Sequence, residues 1–458
     1  MRRGSATGVA VTAALGGLLF GFDTGIISGA LLYIRTDFRL GTTGQQLVVS
    51  VLLLGAIVGV VTAGQILDRL GRKKSLGVLA GVFTVAAVAS ALAPGVGTLM
   101  AARFALGLAV GASSVAVPVY VAEIAPTAVR GRLVSLYQFL VTVGILAAYL
   151  VGYALSDGGR WRWMLGLAAF PSLLMLLGVL RVPESPRWLL ARGHTDQARA
   201  ALARFHPAEE VDRELASLRK GTAEESRISY RDLFRPQLRR ATTLGVAIAA
   251  TNQLVGVNAV IYYAPTIFVQ AGFGDSASLL SSVGIGTANV ACTLAALLVI
   301  DRVGRRPLLL GGITLVVTSL IFLGALYLLP GRTGLTGTLL VVGLIAYIAS
   351  FSASLGISIW LINSEVFPTA VRGKAASVGS FTHWALDFLV ALTTLTLIEL
   401  FTPTGLFWIF GAFGIVGYVF LYRRLPETKN RSLEEIEKDL SRSGAPGKGT
   451  NSRARSSD

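Results

Sequence analysis

Asp23 and Arg103 stand out first, because each interrupts a long apolar run. A charge inside hydrocarbon costs a few kcal/mol, so it needs a partner or a task. Asp23 lies about ten residues from one end of the first run, and Arg103 about six from the matching end of the fourth; at ~1.5 Å rise per residue their depths differ by a few ångströms. Gly17, Gly21, Gly25 and Gly29 form a stripe on the first run, and Gly107 and Gly111 continue the face of Arg103. Small stripes let helices approach closely, which makes an Asp23–Arg103 pair geometrically plausible. The pair reads either as a structural ion pair or as a proton carrier. Desolvation favours the neutral acid and a neighbouring guanidinium the charged one. A conformational change that alters either balance would load a proton on one side and release it on the other. One charge moved down 100 mV yields about 2.3 kcal/mol.

A neutral polar set accompanies this pair. Gln138 begins the fifth run; Asn252, Gln253, Asn258, Tyr262 and Tyr263 crowd the seventh; Asn289 is in the eighth, Trp360 in the tenth, and His383 and Trp384 in the eleventh. Amides donate and accept hydrogen bonds, and indole faces suit the apolar side of a sugar ring, so the set fits a polyhydroxylated ligand. Any single amide reads equally well as glue between helices. Asn258 and Tyr262 share a helix face, whereas Gln253 lies about 140° away on a straight helix. Gly256 would let the helix unwind and bring all three together. Asp387 follows His383 by four residues; the two read as a second titrating site or as a buried His–Asp pair fixing the helix.

The elements that must position these residues are membrane helices. Hydrophobic residues make up 53% of the 458-residue chain and charged residues 14%, against nearer 25% charged in soluble domains. Apolar blocks occupy residues 9–32, 47–67, 76–93, 99–121, 133–155 and 161–182, then 241–269, 279–300, 307–329, 335–362, 375–400 and 405–422. Most approach the ~20 residues that span ~30 Å of hydrocarbon. The fold class expected is all-α, with twelve transmembrane helices in two pseudo-symmetric six-helix bundles. Repeats support the two halves. Residues 126–131 and 368–373 both read Pro-Thr-Ala-Val-Arg-Gly, each three positions after a Glu, Glu123 or Glu365. Asp68-Arg69-Leu70-Gly71-Arg72 matches Asp301-Arg302-Val303-Gly304-Arg305, and Pro183-Glu184-Ser185 matches Pro426-Glu427-Thr428. Partners are offset by 233, 242 and 243 residues, and half-repeats are a common transporter plan. The boundaries expected are 1–183 for the first bundle, 184–239 for a cytoplasmic helical linker, 240–426 for the second bundle and 427–458 for a tail. Within the tail, 432–440 is amphipathic and 441–458 has a disordered composition.

The net charge of +16 is explained by topology rather than by nucleic acid. Arg69, Arg72, Lys73, Lys74, Arg130, Arg132, Arg302, Arg305, Arg306, Arg372 and Lys374 fall in short loops on one side, against Arg35, Arg39, Arg160, Arg162 and Arg332 on the other. That asymmetry puts both termini in the cytoplasm. The paired Asp68, Arg69, Arg72, Glu123, Arg130, Asp301, Arg302, Arg305, Glu365 and Arg372 at this surface read as a conformational latch, or as positive-inside topology alone. Cys292 is the single cysteine, so no intrachain disulfide is possible. No nucleophile–base set, metal-spaced cluster or phosphate loop suggests an enzyme, and no cofactor is expected beyond the proton as co-substrate.

At these residues the chain resembles the sugar porters of the major facilitator superfamily. Residues 68–73 (Asp-Arg-Leu-Gly-Arg-Lys) are similar to the superfamily's loop signature. Residues 123–132, 183–189, 253–265 and 426–428 are similar to sugar-porter signatures, and the match covers about residues 10–430. The resemblance implies rocking, alternating-access transport of a small neutral sugar across the cell (inner) membrane by a monomer. It implies sugar contacts at Gln138, Gln253, Asn258, Asn289 and Trp360, with Trp384 as a second aromatic. Phe20-Gly-Phe-Asp23 is similar to the first helix of bacterial and plant sugar–proton symporters, in which the acid is the proton site. That resemblance, with Arg103, favours symport over uniport.

Four positions depart from the family pattern. Asn252-Gln253 replaces the usual Gln-Gln, no proline precedes Trp360 (which predicts a stiffer gate or one relying on Gly356), Ala168 replaces an acid of some symporters, and Asp387 replaces the usual Asn. The leading expectation is proton-coupled symport of a hexose or pentose. A uniporter of the same fold, a non-transporting sugar sensor and a drug–proton antiporter are the alternatives, in that order.

Overall fold

Apolar runs this long leave their backbone N–H and C=O groups no partner but each other, and helices result. The computed structural model describes residues 3–125, 127–205, 208–225, 231, 233, 235–329, 334–358, 362, 367, 372–427 and 429, and no strand occurs among them. The first half contains α1 (Arg3–Asp37), α2 (Thr42–Leu70), α3 (Arg72–Ala91), α4 (Val96–Ile124) and α5 (Thr127–Ala154), then a crossing split into α6 (Trp161–Gly166) and α7 (Ala169–Arg181). Three linker helices follow: α8 (Pro186–Ala191), α9 (Thr195–Leu202) and α10 (Ala208–Glu225). The second half contains α11 (Pro236–Leu254), α12 (Val257–Gln270), α13 (Asp275–Val303), α14 (Arg305–Leu326), α15 (Leu335–Ala353) and α16 (Arg372–Arg424). The tail pieces expected at 432–440 and 441–458 lie outside the described residues.

Among the described residues, eleven helical stretches are long and apolar enough to cross a membrane, the last being Ser377–Arg424. Its 48 residues rise ~72 Å, more than twice a bilayer core. Thr402, at φ 61°, followed by Pro403, breaks it in two, so twelve crossings result. The tenth crossing is also interrupted. Without a proline, α15 nevertheless ends at Ala353, where Ser354 turns to φ −132°, ψ −84°, two residues before Gly356.

Packing follows the repeat. α1 lies on α5 as α11 lies on α16, and α2 lies on α4 as α13 lies on α15. The two halves meet along α2–α16 and α5–α13, a matched pair of contacts, with α1 against α12. Large apolar side chains such as Val85, Leu180, Leu298 and Val416 stand exposed on the bundle's outside, the surface hydrocarbon would cover.

The repeated motifs are a repeated set of hydrogen bonds. The carboxylate of Glu184 accepts from the backbone N–H groups of Arg72 (2.8 Å) and Lys73 (3.1 Å) at the start of α3. Glu427, 243 residues later, accepts from those of Arg305 and Arg306 at the start of α14, both at 3.1 Å. Lys73 Nζ donates to the Leu180 carbonyl and Arg306 Nη2 to that of Tyr422, again counterparts. Helix N-termini favour anions because four N–H groups there lack partners. Gly71 and Gly304, at φ +87° and +102°, let each carboxylate reach them, since a Cβ at either would collide with it. In the first half Ser185 also caps α8 by accepting from Trp188 N–H (3.3 Å), and the Pro183 carbonyl accepts from Tyr120 (2.6 Å). The linker helices close over a small core of their own, with Leu189, Leu202, Val211 and Leu215 buried. Trp188 and Arg192 fasten it to the Asp68 carbonyl at the end of α2.

Glu184→Ala and Glu427→Ala each remove a charged acceptor from three backbone N–H donors, two of them at a helix start and one on a nearby residue, Ser185 or Lys429. Such bonds contribute about 1.5–3 kcal/mol, less at these half-exposed sites. Both variants therefore lower the midpoint of thermal unfolding in detergent, by similar amounts, and Gln restores part of the loss. An unchanged midpoint would show that the caps carry nothing.

Candidate functional site

The seventh crossing is a broken helix. α11 ends at Leu254, and Gly256 turns to φ +82°, ψ 21° before α12 begins. This left-handed conformation suits glycine, and a Cβ here would also run into the Phe410 ring. Tyr347 Oη donates to the Val255 carbonyl at 2.8 Å, and Gly256 N–H to the Gln253 carbonyl at 2.9 Å. The break brings together what a straight helix would separate, for Asn258 Nδ2 lies 3.0 Å from Gln253 Oε1. Gln253 Nε2 in turn lies 3.2 Å from Asn252 Oδ1 and 3.0 Å from the His383 ring nitrogens. Asn252 Nδ2 donates to the Leu355 carbonyl, just past the turn at Ser354, so one amide supports both broken helices. Gln253 is fully buried, and Asn252 is 2% exposed.

Aromatic rings carry this chain of contacts across the two halves. The His383 ring meets Trp384 edge-on at 5.6 Å, and Trp384 meets Phe20 of α1 at 5.1 Å. Trp384 Nε1 also approaches Ser114 Oγ of α4 at 3.4 Å. Asn289 is buried in α13 and accepts from Ser352 of α15 at 2.8 Å. Gln138 is half-buried on α5. Trp360 lies outside the described residues.

Asp23 and Arg103 do meet. Arg103 Nη1 lies 3.7 Å from Asp23 Oδ1, with the side chains 1% and 2% exposed. Arg103 Nε donates to the Val48 carbonyl at 2.7 Å. Among the described residues neither Asp23 Oδ2 nor Arg103 Nη1 has a hydrogen-bond partner. The glycine stripes work differently from the expectation. Gly17, Gly21 and Gly25 press on the backbone of α5, at Tyr137, Val141 and Ile145, while Gly107 and Gly111 press on Leu52 and Ala56 of α2. They place α1 and α4 through other helices rather than against each other.

Asp387 is fully buried. Its Oδ2 accepts from the Tyr262 hydroxyl at 3.0 Å, while His383 lies against Gln253. The expected His–Asp pair on one helix face is therefore replaced by bonds from both residues to the seventh crossing. Tyr262 lies within electrostatic range of Asp23 and Arg103. Sequence reasoning missed Tyr347, Ser352 and Ser114, because only packing pairs a lone hydroxyl with a distant carbonyl or ring.

At the motif-bearing end, Arg72 forks onto Glu123 through Nε (2.9 Å) and Nη2 (3.0 Å), Ser185 Oγ donates to the same carboxylate, and exposed Asp68 lies 3.4 Å from Arg72. These bonds tie α2, α3, α4 and the linker within the first half. Arg69 and Arg302 are exposed and Arg305 half-buried. Glu365 and the side chains of Arg130, Asp301 and Arg372 lie outside the described residues. At the opposite end Thr42 of α2 donates to Glu399 of α16, Gln46 exchanges hydrogen bonds with Thr396 (3.0 and 3.1 Å), and Tyr149 of α5 donates to the Ile261 carbonyl (3.0 Å). Polar bonds thus close the two halves together at that end.

A family model described as Sugar (and other) transporter matches residues 9–440. The chain is 41% identical to a glucose transporter, GlcP, of Staphylococcus epidermidis, covering 95% of this chain and 97% of that protein. It is 37% identical to the galactose-proton symporter of Escherichia coli K12, covering 94% of each. Its structure is similar to that of the proton:xylose symporter XylE of E. coli bound to 6-bromo-6-deoxy-D-glucose, with a TM-score of 0.81 and 29% identity over 96% of this chain and 100% of that one.

Gly256→Ala forces a side chain into a left-handed turn, at about 1–2 kcal/mol, and into the Phe410 ring. It lowers the unfolding midpoint and weakens sugar binding in detergent. Gly81→Ala, where a Cβ meets nothing within 4 Å, is the matched control and leaves both unchanged. Equal behaviour of the two variants would discount the break.

Proposed function

The chain belongs to the Sugar (and other) transporter family, a family of membrane transporters, and from that membership we propose that it carries a monosaccharide, hexose or pentose, into the cell together with a proton. The observation that carries this reading is the buried Asp23–Arg103 pair, whose 3.7 Å separation is held by Coulomb attraction without a hydrogen bond between the closest atoms. A pair held this way can be opened by proton binding to Asp23, and the energy of a charge crossing the membrane field then drives the solute. The relatives named as a glucose transporter and a galactose-proton symporter, and the proton:xylose symporter of similar fold, support the same class of substrate and coupling.

In this reading the sugar lies between the halves. Gln253, Asn258, Gln138 and Asn289 bond its hydroxyls, Trp384 and Trp360 offer apolar faces, and Phe20, Tyr262 and His383 line the approach. Asn252 holds the frame through the Leu355 carbonyl. The halves correspond to residues 1–183 and 240–426, joined by a linker at 184–239. Both termini lie in the cytoplasm of a protein acting as a monomer in the inner membrane. The bonds of Thr42, Gln46 and Tyr149 then close the outer side, and Asp68, Arg72 and Glu123 with their second-half counterparts latch the inner side when the carrier turns over.

The test is to record external pH around de-energised cells or proteoliposomes while single sugars are added. Alkalinisation with one sugar, lost in Asp23→Asn while sugar exchange persists, supports symport and identifies the substrate. Sugar entry without a pH change, indifferent to Asp23→Asn, leaves a uniporter.

A further inference from the structure

Charge does not balance inside this bundle. Among the described buried residues, the ionisable acids and bases are Asp23, Arg103, His383 and Asp387, alongside tyrosines. His383 is engaged by the Gln253 amide, and the one guanidinium faces Asp23. Two carboxyl groups therefore share one cation, and an uncompensated carboxylate in a dry interior is costly. Among the described residues, the groups facing Asp387 supply no second cation. From α12 come the Tyr262 hydroxyl and the Asn258 amide, and from its own helix His383, one turn back. From α11 the Gln253 amide faces His383 and the Asn252 amide faces Gln253 and the Leu355 carbonyl, from α2 Gln46 faces Thr396 farther along, and α14 contributes no buried charge. Beyond Tyr262 lie Asp23 and Arg103.

We infer that Asp387 is a second proton-binding site of the transport cycle, joined to the Asp23–Arg103 pair through Tyr262. The inference rests on the proton-coupled reading above and deepens it. The geometry assigns the atoms. Oδ2 accepts from the Tyr262 hydroxyl, and Oδ1 has no hydrogen-bond partner among the described residues. The proton from water forms its O–H bond on Oδ1, converting carboxylate to acid, and leaves from there when the site opens to the other side. Tyr262, bonded to Asp387 and in range of Asp23, makes the occupancy of one carboxyl felt by the other. Asn in place of Asp387 keeps the shape and cannot carry a proton.

Two measurements test this. The first uses purified full-length protein in liposomes with the membrane potential clamped at zero and the transported sugar as solute. The sugar gradient that just halts net flux is read against a tenfold proton gradient. A ~100-fold gradient for the wild type, dropping to ~10-fold in Asp387→Asn, corresponds to two protons and one; ~10-fold for both overturns the inference. The second needs no transport: infrared difference spectra on pH change, recorded without sugar. A protonated-carboxyl carbonyl stretch that persists in Asp23→Asn, is lost in Asp387→Asn and is displaced in Tyr262→Phe supports the site. Its absence from the wild type, or its survival in Asp387→Asn, overturns it. If the wild type moves no protons with any sugar, the symport reading fails, and the infrared result decides the carboxyl separately.

Discussion

A carboxylate enclosed in an apolar bundle must have its charge answered, and the arrangement of the first half follows from answering that of Asp23. Arg103 does so from another helix, and its own orientation depends on a third, because its Nε is held by the Val48 carbonyl of α2. That carbonyl is within reach because Gly107 and Gly111 let α4 lie directly on the α2 backbone. Asp23 is brought to the same depth because Gly17, Gly21 and Gly25 let α1 lie on α5. Backbone-close packing is what associates helices where no hydrophobic drive operates. Here it also fixes where two charges meet, and the contact it allows, 3.7 Å, is near enough for attraction and too long for a hydrogen bond.

The second half is organised around broken backbone. A carbonyl or N–H freed inside a membrane protein needs a protein partner, and the partners found here are the residues that bound the candidate sugar site. Tyr347 answers Val255, and Asn252 answers Leu355. The breaks at Gly256 and Ser354 are thus supported by side chains from neighbouring helices. In exchange, the breaks turn Gln253, Asn258 and His383 toward one another. Trp384 and Phe20 extend this network to the first half, so a ligand bound there would contact both bundles, as rocking motion about a central site requires.

The rim of the molecule repeats one solution twice. Glu184 and Glu427 each sit on a helix N-terminus beside a glycine of positive φ, and Lys73 and Arg306 each hold a carbonyl of the preceding crossing. In the first half this rim is also where the linker attaches, through Trp188 and Arg192 to Asp68. The linker is thereby bonded to the end of α2, which at its other end meets α16 through Gln46 and Thr396.

The sequence by itself determined the class and the plan. Apolar runs of about twenty residues in water-poor surroundings can only be helices, the internal repeat requires two like halves, and the isolated Asp23 and Arg103 demand an explanation wherever they stand. Gly256 also marked the broken seventh crossing. Partnerships were decided by tertiary structure alone. The glycine stripes signalled close approach without naming α5 and α2 as the helices approached. The absent proline pointed to a stiffer gate or one relying on Gly356, and only the structure places the turn two residues earlier, at Ser354, with Asn252 holding the next carbonyl. The i, i+4 spacing of His383 and Asp387 suggested a mutual bond, whereas each is turned to the seventh crossing, where Gln253 and Tyr262 offer better partners. Spacing along a chain fixes which residues share a face. Which distant helix meets that face depends on the packing of all twelve crossings together, and no local pattern encodes it.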